Sequence, residues 1–181
     1  MSSVQSAATG EELAAFEQVY RDTRQALLAY LHRRAPADAA DLLAEVYLVA
    51  WRRRDVLPAG EQQRLWLYGI ARRLLAEHHR TRADHASLDT VGEAVLTPWR
   101  EGRDGETPRA AAVRQVLAEL NDTDRELLTL TTWEHLSTTD AAHVVGITAG
   151  SARVRLHRAR RKLREHPSLR TLLDEPSPHL A

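Results

Sequence analysis

Nine histidines and 25 acidic side chains, in a chain of 181 residues without cysteine, are the groups that could assemble a metal or acid–base site. On a helix, metal ligands must stand three or four residues apart to share a face, as in H-E-x-x-H. His78 and His79 are adjacent, so they point about 100° apart, and Glu77 has no histidine four residues on. The chain holds no phosphate-cradling glycine loop, no G-x-S-x-G and no dinucleotide turn. Lack of cysteine removes disulfides, thiolate zinc, iron–sulfur clusters and a cysteine nucleophile. The sequence therefore predicts a protein that is not an enzyme and carries no cofactor and no metal. A metal-dependent helical-bundle hydrolase is the weakest alternative.

The chemistry that the spacing does favour is electrostatic. The 25 basic residues balance the 25 acidic ones, and a net charge of zero argues against nucleic acid only if the charges are spread evenly. They are not. Residues 64 to 82 hold five arginines against Glu77, or +4, and residues 148 to 164 hold seven cations and no acid, or +7. Residues 84 to 108 hold six acids against two arginines (−4), and 119 to 140 hold six against Arg125 (−5).

Helices must position these charges, because apolar residues recur at helical spacing and no strand alternation appears. Leu13, Phe16, Tyr20, Leu27 and Leu31 predict a helix over 11–34, closed by Arg33 and Arg34 before Pro36. Leu42, Val46, Val49, Ala50 and Trp51 set a second, ended by Pro58 and Gly60, and Leu67, Ile70, Leu74 and Leu75 a third over 62–82. Residues 83–107 lose the periodicity, gain acid and glycine, and read as a flexible linker. Thr107 with Pro108 caps the next helix, whose stripe is Val113, Val116, Leu117 and Leu120. Thr123 with Glu126 has capping-box spacing before Leu127, Leu128, Leu130 and Trp133; Ser137 with Asp140 repeats it. Gly146 and Ile147 make a tight turn, and Thr148 caps the last long helix. The expected fold class is all-α, in two small helical domains joined by the acidic linker. Residues 1–10 are expected to be a disordered tail, 11–82 the first domain, 108–166 the second and 167–181 a C-terminal tail.

The helix pair around Gly146 has the form of a helix-turn-helix, whose second helix can enter the DNA major groove. Ala152, Leu156, Ala159 and Leu163 make its apolar seam; Gly150, Val154, His157, Arg158 and Arg161 lie opposite, flanked by Ser151, Arg153 and Arg155. Arginine can bond guanine bidentately, serine and histidine can donate to phosphates, and an outward valine suits a thymine methyl. A solvated basic face, or one docked on an acidic partner or membrane surface, is the plainer reading. Seven cations without an acid, behind a capped helix and a tight turn, favour DNA.

Three segments in this order resemble the extracytoplasmic-function (ECF) RNA polymerase sigma factors, over roughly residues 12–165. LNDTDRELLTL (120–130) with GITAGSARVRLHRARRKL (146–163) is similar to that family's region 4, which reads the minus-35 element. DAADLLAEVYLVAW (38–51) resembles its polymerase-docking segment, and RLWLYGIARRLLAEHHRTR (64–82) the segments that open and read the minus-10 element. The resemblance implies minus-35 contacts for Ser151, Arg153, Val154, Arg155, His157, Arg158 and Arg161. It implies minus-10 contacts for the loop from Asp55 to Arg64 and for Arg64, Trp66, Arg72, Arg73, His78, His79, Arg80 and Arg82. It implies polymerase contacts for Asp41, Leu42, Glu45 and Val46. Trp66, Tyr68, His78 and His79 are candidates to stack on an unpaired base; an aromatic at helical spacing is more often core. The chain departs from the family pattern at Ala44, Arg73, Asn121 and Val154, where the family commonly has Gln, Asn, Pro and a polar residue. The implied partners are core RNA polymerase (clamp coiled coil and flap), promoter DNA and an anti-sigma factor. The linker's acids would lie along a cationic polymerase channel, with Trp99 as a docking point.

A stand-alone helix-turn-helix regulator is the other alternative; such proteins dimerise on two half-sites, and no strongly apolar helix is left over for that. The N-terminus lacks signal-peptide character, and no run approaches the roughly 20 apolar residues of a membrane span, so a cytoplasmic location is expected.

Overall fold

The computed structural model describes residues 9–89 and 107–174. Most of the expected linker, Trp99 included, and the outer parts of both expected tails lie outside these. Among the described residues there are eight α-helices, one short 3₁₀ turn and no strand. They fall into two compact units, the first ending at Leu75 and the second beginning at Ala76.

In the first unit α1 (Gly10–Arg34) lies against α2 (Ala39–Arg52), followed by a 3₁₀ turn (Arg54–Val56) and the first part of α3 (Glu61–Asp89). Helix α1 opens with a capping box: the Thr9 hydroxyl accepts from the Glu12 amide, and the Glu12 carboxylate accepts from Thr9 N–H. Leu27, Tyr30, Leu31, Val46, Ala50, Leu67, Tyr68 and Ala71 make a solvent-free core. The Tyr30 and Tyr68 rings meet edge-on at 5.1 Å. Thr23 donates to Val19 O, and its oxygen also lies in hydrogen-bond reach of the Tyr47 hydroxyl, 2.8 Å away. Arg34 is buried instead of solvated: its guanidinium sits 3.7 Å from the centre of the Tyr30 ring and donates to Tyr30 O. Leu13 and Tyr20, expected on the apolar stripe, are exposed. The true stripe runs through Val19, Thr23, Leu27, Tyr30 and Arg34.

Helix α3 does not stop at Arg82. It continues to Asp89, through alanines and a leucine with no glycine or proline to end it, so the linker expectation is corrected for residues 83–89.

The second unit contains α4 (Pro108–Ala118), α5 (Asp122–Thr132), α6 (Thr138–Val145), α7 (Ala149–Glu165) and α8 (Pro167–Asp174). Helix α8, where a tail was expected, packs on α4 and α7. Thr107, Ser137 and Thr148 cap α4, α6 and α7 as their spacing predicts. Helix α5 starts two residues earlier than Thr123 implied, because the Asn121 side chain accepts from the Asp124 amide while its own amide group holds the Asp124 carboxylate at 2.7 Å. Buried Arg125 ties α4 to α5: Nε donates to Leu117 O, Nη2 to Leu120 O and Nη1 to Asp122. Leu117 O also accepts from Leu120 N–H, so the guanidinium locks the turn that closes α4.

Candidate nucleic-acid interface

Helices α5, α6 and α7 pack mutually, and the turn between the last two decides where α7 points. Helix α6 ends at Gly146, whose φ of 82° and ψ of 35° are left-handed, a conformation that costs an L-residue roughly 1–2 kcal/mol. Its N–H bonds back to Ala142 O and His143 O, and Ile147 N–H also reaches Ala142 O, so the chain reverses within two residues. Thr148 then accepts from Ser151 N–H and launches α7.

Ala152, Leu156 and Ala159 of α7 are at most 2% exposed and form the packed seam. Small alanines at two of these positions let α7 approach α5 and α6 closely. The side opposite is exposed: Ser151, Arg153, His157, Arg158 and Arg161 face solvent, and Val154 is 51% exposed. An exposed β-branched side chain within a cationic face gains nothing for the fold, and it suits an apolar contact with a base edge.

Arg155 differs from its neighbours. Its Nη1 donates to Asp124 of α5 at 2.9 Å, and the Asp124 side chain is only 17% exposed, while Arg155 itself is 42% exposed. This pair ties Arg155 to α5 as well as leaving part of it at the surface. On the same flank Lys162 donates to Glu119 O at 3.0 Å and pairs with its carboxylate at 3.5 Å. His166 shares a hydrogen bond with that carboxylate at 3.2 Å. Hydrogen bonding by His166, with the charges of His166 and Lys162, holds Glu119 below its ordinary pKa, so it is ionised at neutral pH.

The minus-10 candidates divide between the units. Arg64, Trp66, Arg72 and Arg73 lie in the first; His78, His79, Arg80 and Arg82 lie past Leu75. Arg73 is exposed and shares a helix side with half-buried Trp66 one heptad before it. Arg64 donates to the Tyr68 hydroxyl at 3.3 Å. Tyr68 itself is fully buried, so it is core and no stacking surface. Arg80 is ion-paired with Glu77. The His79 ring is partly buried, and burial, with His78 and Arg82 nearby, lowers its pKa below the ordinary 6.5. It is therefore neutral at pH 7, able to stack and to accept a hydrogen bond.

In the polymerase set the structure separates two kinds of residue. Asp41 and Glu45 are exposed, whereas Leu42 is 5% and Val46 0% exposed. On α2 the latter two point into the core, so they support the surface and cannot be its contacts. The outward side holds Asp41, Ala44, Glu45, Arg52 and Leu48, the last 55% exposed. Leu48 was missed, although a helical wheel places it between Asp41 and Glu45 on one side and Ala44 on the other.

Among the described residues no cluster of three or more histidines and acids could hold a metal ion, and no helix is long and apolar enough to cross a membrane.

Residues 110–163 match the family described as Sigma-70, region 4. The chain is 32% identical over 153 residues to the ECF RNA polymerase sigma factor SigC of Mycobacterium tuberculosis, covering 83% of this chain and 80% of that protein. It is 30% identical over 143 residues to the ECF RNA polymerase sigma factor SigF of Caulobacter vibrioides, covering 77% and 78%. In fold it is similar to the sigma factor RpoE of Bartonella quintana, solved with the anti-sigma factor NepR. That TM-score is 0.64 at 23% identity, over 90% of this chain and 99% of that one.

Proposed function

The chain belongs to the ECF RNA polymerase sigma factors, non-catalytic proteins that direct transcription initiation, and on that premise we propose which of its surfaces performs each step. The second unit takes the minus-35 element. Helix α7 enters the major groove and presents Ser151, Arg153, Val154, His157, Arg158 and Arg161 to bases and phosphates. The observation that carries this reading is the left-handed Gly146 turn, which sets α7 with its apolar seam inward and an exposed cationic side outward. Helix α3 takes the minus-10 element, with Arg64, Arg72, Arg73, Arg80 and Arg82 for the backbone and Trp66, His78 and His79 for unpaired bases. Asp41, Ala44, Glu45 and Leu48 dock on the clamp coiled coil of core polymerase, and the second unit meets the flap. In domain terms 11–82 and 108–166 are the two working parts, joined by the acidic stretch that follows α3. Two weak DNA contacts on one tether raise each other's effective concentration, so neither need bind tightly alone. We assign the protein a cytoplasmic site of action and an anti-sigma factor as antagonist, the kind of partner with which the Bartonella relative was solved.

In vitro transcription with purified core polymerase tests the reading. Promoter-specific initiation that depends on the added protein is the expected result. Tight binding to duplex DNA by the protein alone, with no initiation from any core, makes it a stand-alone regulator and refutes the assignment.

A further inference from the structure

The fold treats the two flanks of α7 differently. On one, Arg155 meets Asp124 and Lys162 meets Glu119. On the other, Arg153, His157, Arg160 and Arg164 follow one another at helical spacing, which keeps them on one side for about three turns. None of these four has an ion-pair partner among the described residues. They line an open groove of about 610 Å³ whose apolar part is Leu156 and Leu163. One side chain from another helix borders it: Thr138, in the first turn of α6. Thr138 is half-buried, and its hydroxyl makes no hydrogen bond among the described residues. By contrast the Ser137 hydroxyl donates to Asp140 and the Thr148 hydroxyl to Ser151. An unengaged hydroxyl nucleophile therefore opens onto a row of cations that the fold does not use.

We propose that Thr138 is a phosphorylation site and that the groove receives the phosphate it carries, which withdraws α7 from promoter DNA. The proposal rests on the minus-35 reading of α7 and adds its regulation. The reaction is transfer from ATP by a protein kinase. The bond from Thr138 Oγ1 to the γ-phosphorus forms, the bond from that phosphorus to the bridging oxygen of ADP breaks, and the hydroxyl proton passes to the kinase's base. The product carries a charge of about −1.5 to −2 at pH 7 and three acceptor oxygens, the kind of group that an arginine cluster bonds. A tethered anion also suits the mixed lining. Leu156 and Leu163 displace water from one side of the groove, which strengthens each guanidinium–phosphate bond. Attachment to the chain supplies the effective concentration that a free anion lacks. A phosphate held there relieves the repulsion of like charges along α7. Arg153 and His157 belong to the reading set, so cations held by the phosphate are lost to DNA.

The test installs phosphothreonine at position 138 of the full-length chain during translation. The control carries it at Thr139, which is exposed and does not border the groove. Phosphorus NMR then follows the second ionisation of each phosphate, ordinarily near pH 6. Facing guanidinium groups favour the dianion, so the midpoint at 138 should lie below that of the control. It should return to the control value in R160A/R164A and stay low in R160K/R164K, with helicity monitored in each. With core polymerase, phosphate at 138 should lower promoter-specific initiation at least about tenfold, the equivalent of one lost contact, and phosphate at 139 should not. Equal midpoints at 138 and 139 overturn the groove as receptor. A lowered midpoint with undiminished initiation overturns the withdrawal of α7. Phosphopeptide mapping of the protein from cells that express it natively should find the modified Thr138, and an unmodified residue in growing and starved cells alike overturns it as a site. Unmodified protein that fails to initiate overturns the sigma-factor reading instead, and leaves the NMR result standing.

Discussion

Removal of the Asp124–Arg155 pair should damage the fold of the second unit and leave base discrimination untouched. Two unit charges about 4 Å apart attract by about 1 kcal/mol in water and about 4 kcal/mol at an effective dielectric constant of about 20. The pair stands between these limits, since Asp124 is 17% and Arg155 42% exposed. Solvent screening and the ordering of a long arginine bring the expected coupling to about 1 kcal/mol. A double-mutant cycle of Asp124→Ala, Arg155→Ala and both isolates that coupling, and it subtracts the Asn121 bond that Asp124→Ala also breaks. Urea unfolding followed by helicity should show the two single variants destabilised by more than the double variant accounts for. With m near 1 kcal/mol per molar for so small a unit, the coupling is worth about 1 M in midpoint, and molar salt should shrink it. The reasoning fails if the coupling is below about 0.2 kcal/mol while Arg155→Ala relaxes the choice among minus-35 sequences. That pair of results would return Arg155 to the reading face.

Arg158→Ala should weaken minus-35 recognition by about 1–3 kcal/mol and relax selectivity at one base position; unchanged promoter preference in competition transcription removes it from the contact set. Glu45→Arg, on an exposed side of α2, should abolish co-purification with core polymerase at unchanged thermal stability. Leu42→Ala should instead cost about 2–5 kcal/mol of stability, as a cavity in the core, and retained stability would refute that placement. Because Glu119 is held below its ordinary value, its contribution is present above the unfolded pKa near 4.5 and is lost as pH falls through the lower folded value. Glu119→Gln should therefore flatten the part of the second unit's acid limb that lies below pH 4.5, and an acid limb identical to wild type there contradicts the Glu119–His166–Lys162 link.

What could be read from the sequence was local. The caps at Thr107, Ser137 and Thr148, the turn at Gly146 and the α7 seam all follow from residues within four positions of one another. The Thr9 cap was equally local, in the pattern Thr-Gly-Glu-Glu. Two signals competed at the start of α5, and Asn121 prevailed over Thr123 because its amide bonds the Asp124 carboxylate while its oxygen takes the backbone proton. Long-range pairing could not be read in advance. Asp124 and Arg155 are 31 residues apart, and periodicity does not say which cation of a basic face meets an acid on another helix. Nor does resemblance of a segment say which of its sides faces out: Leu42 and Val46 point into the core, and Leu48 points out. Helix α8 escaped because it is only eight residues long and its one clear signal, Pro167 at the first helical position, follows directly on α7.

The zero net charge also changes meaning once the acids are placed. Of those between residues 119 and 140, Glu119 and Asp124 neutralise one flank of α7, Asp122 neutralises buried Arg125, and Asp140 accepts from the Ser137 cap. They are held within the second unit, mostly at helix starts, where their charge also suits the helix dipole. Arg155 and Lys162, matched to acids of α5 and of the end of α4, therefore stand against the protein, while outward Arg161 meets only Glu165 of its own helix. A unit arranged in this way has a directed field despite a small net charge. A field of this kind orients the approach of any polyanion toward the outward side of α7.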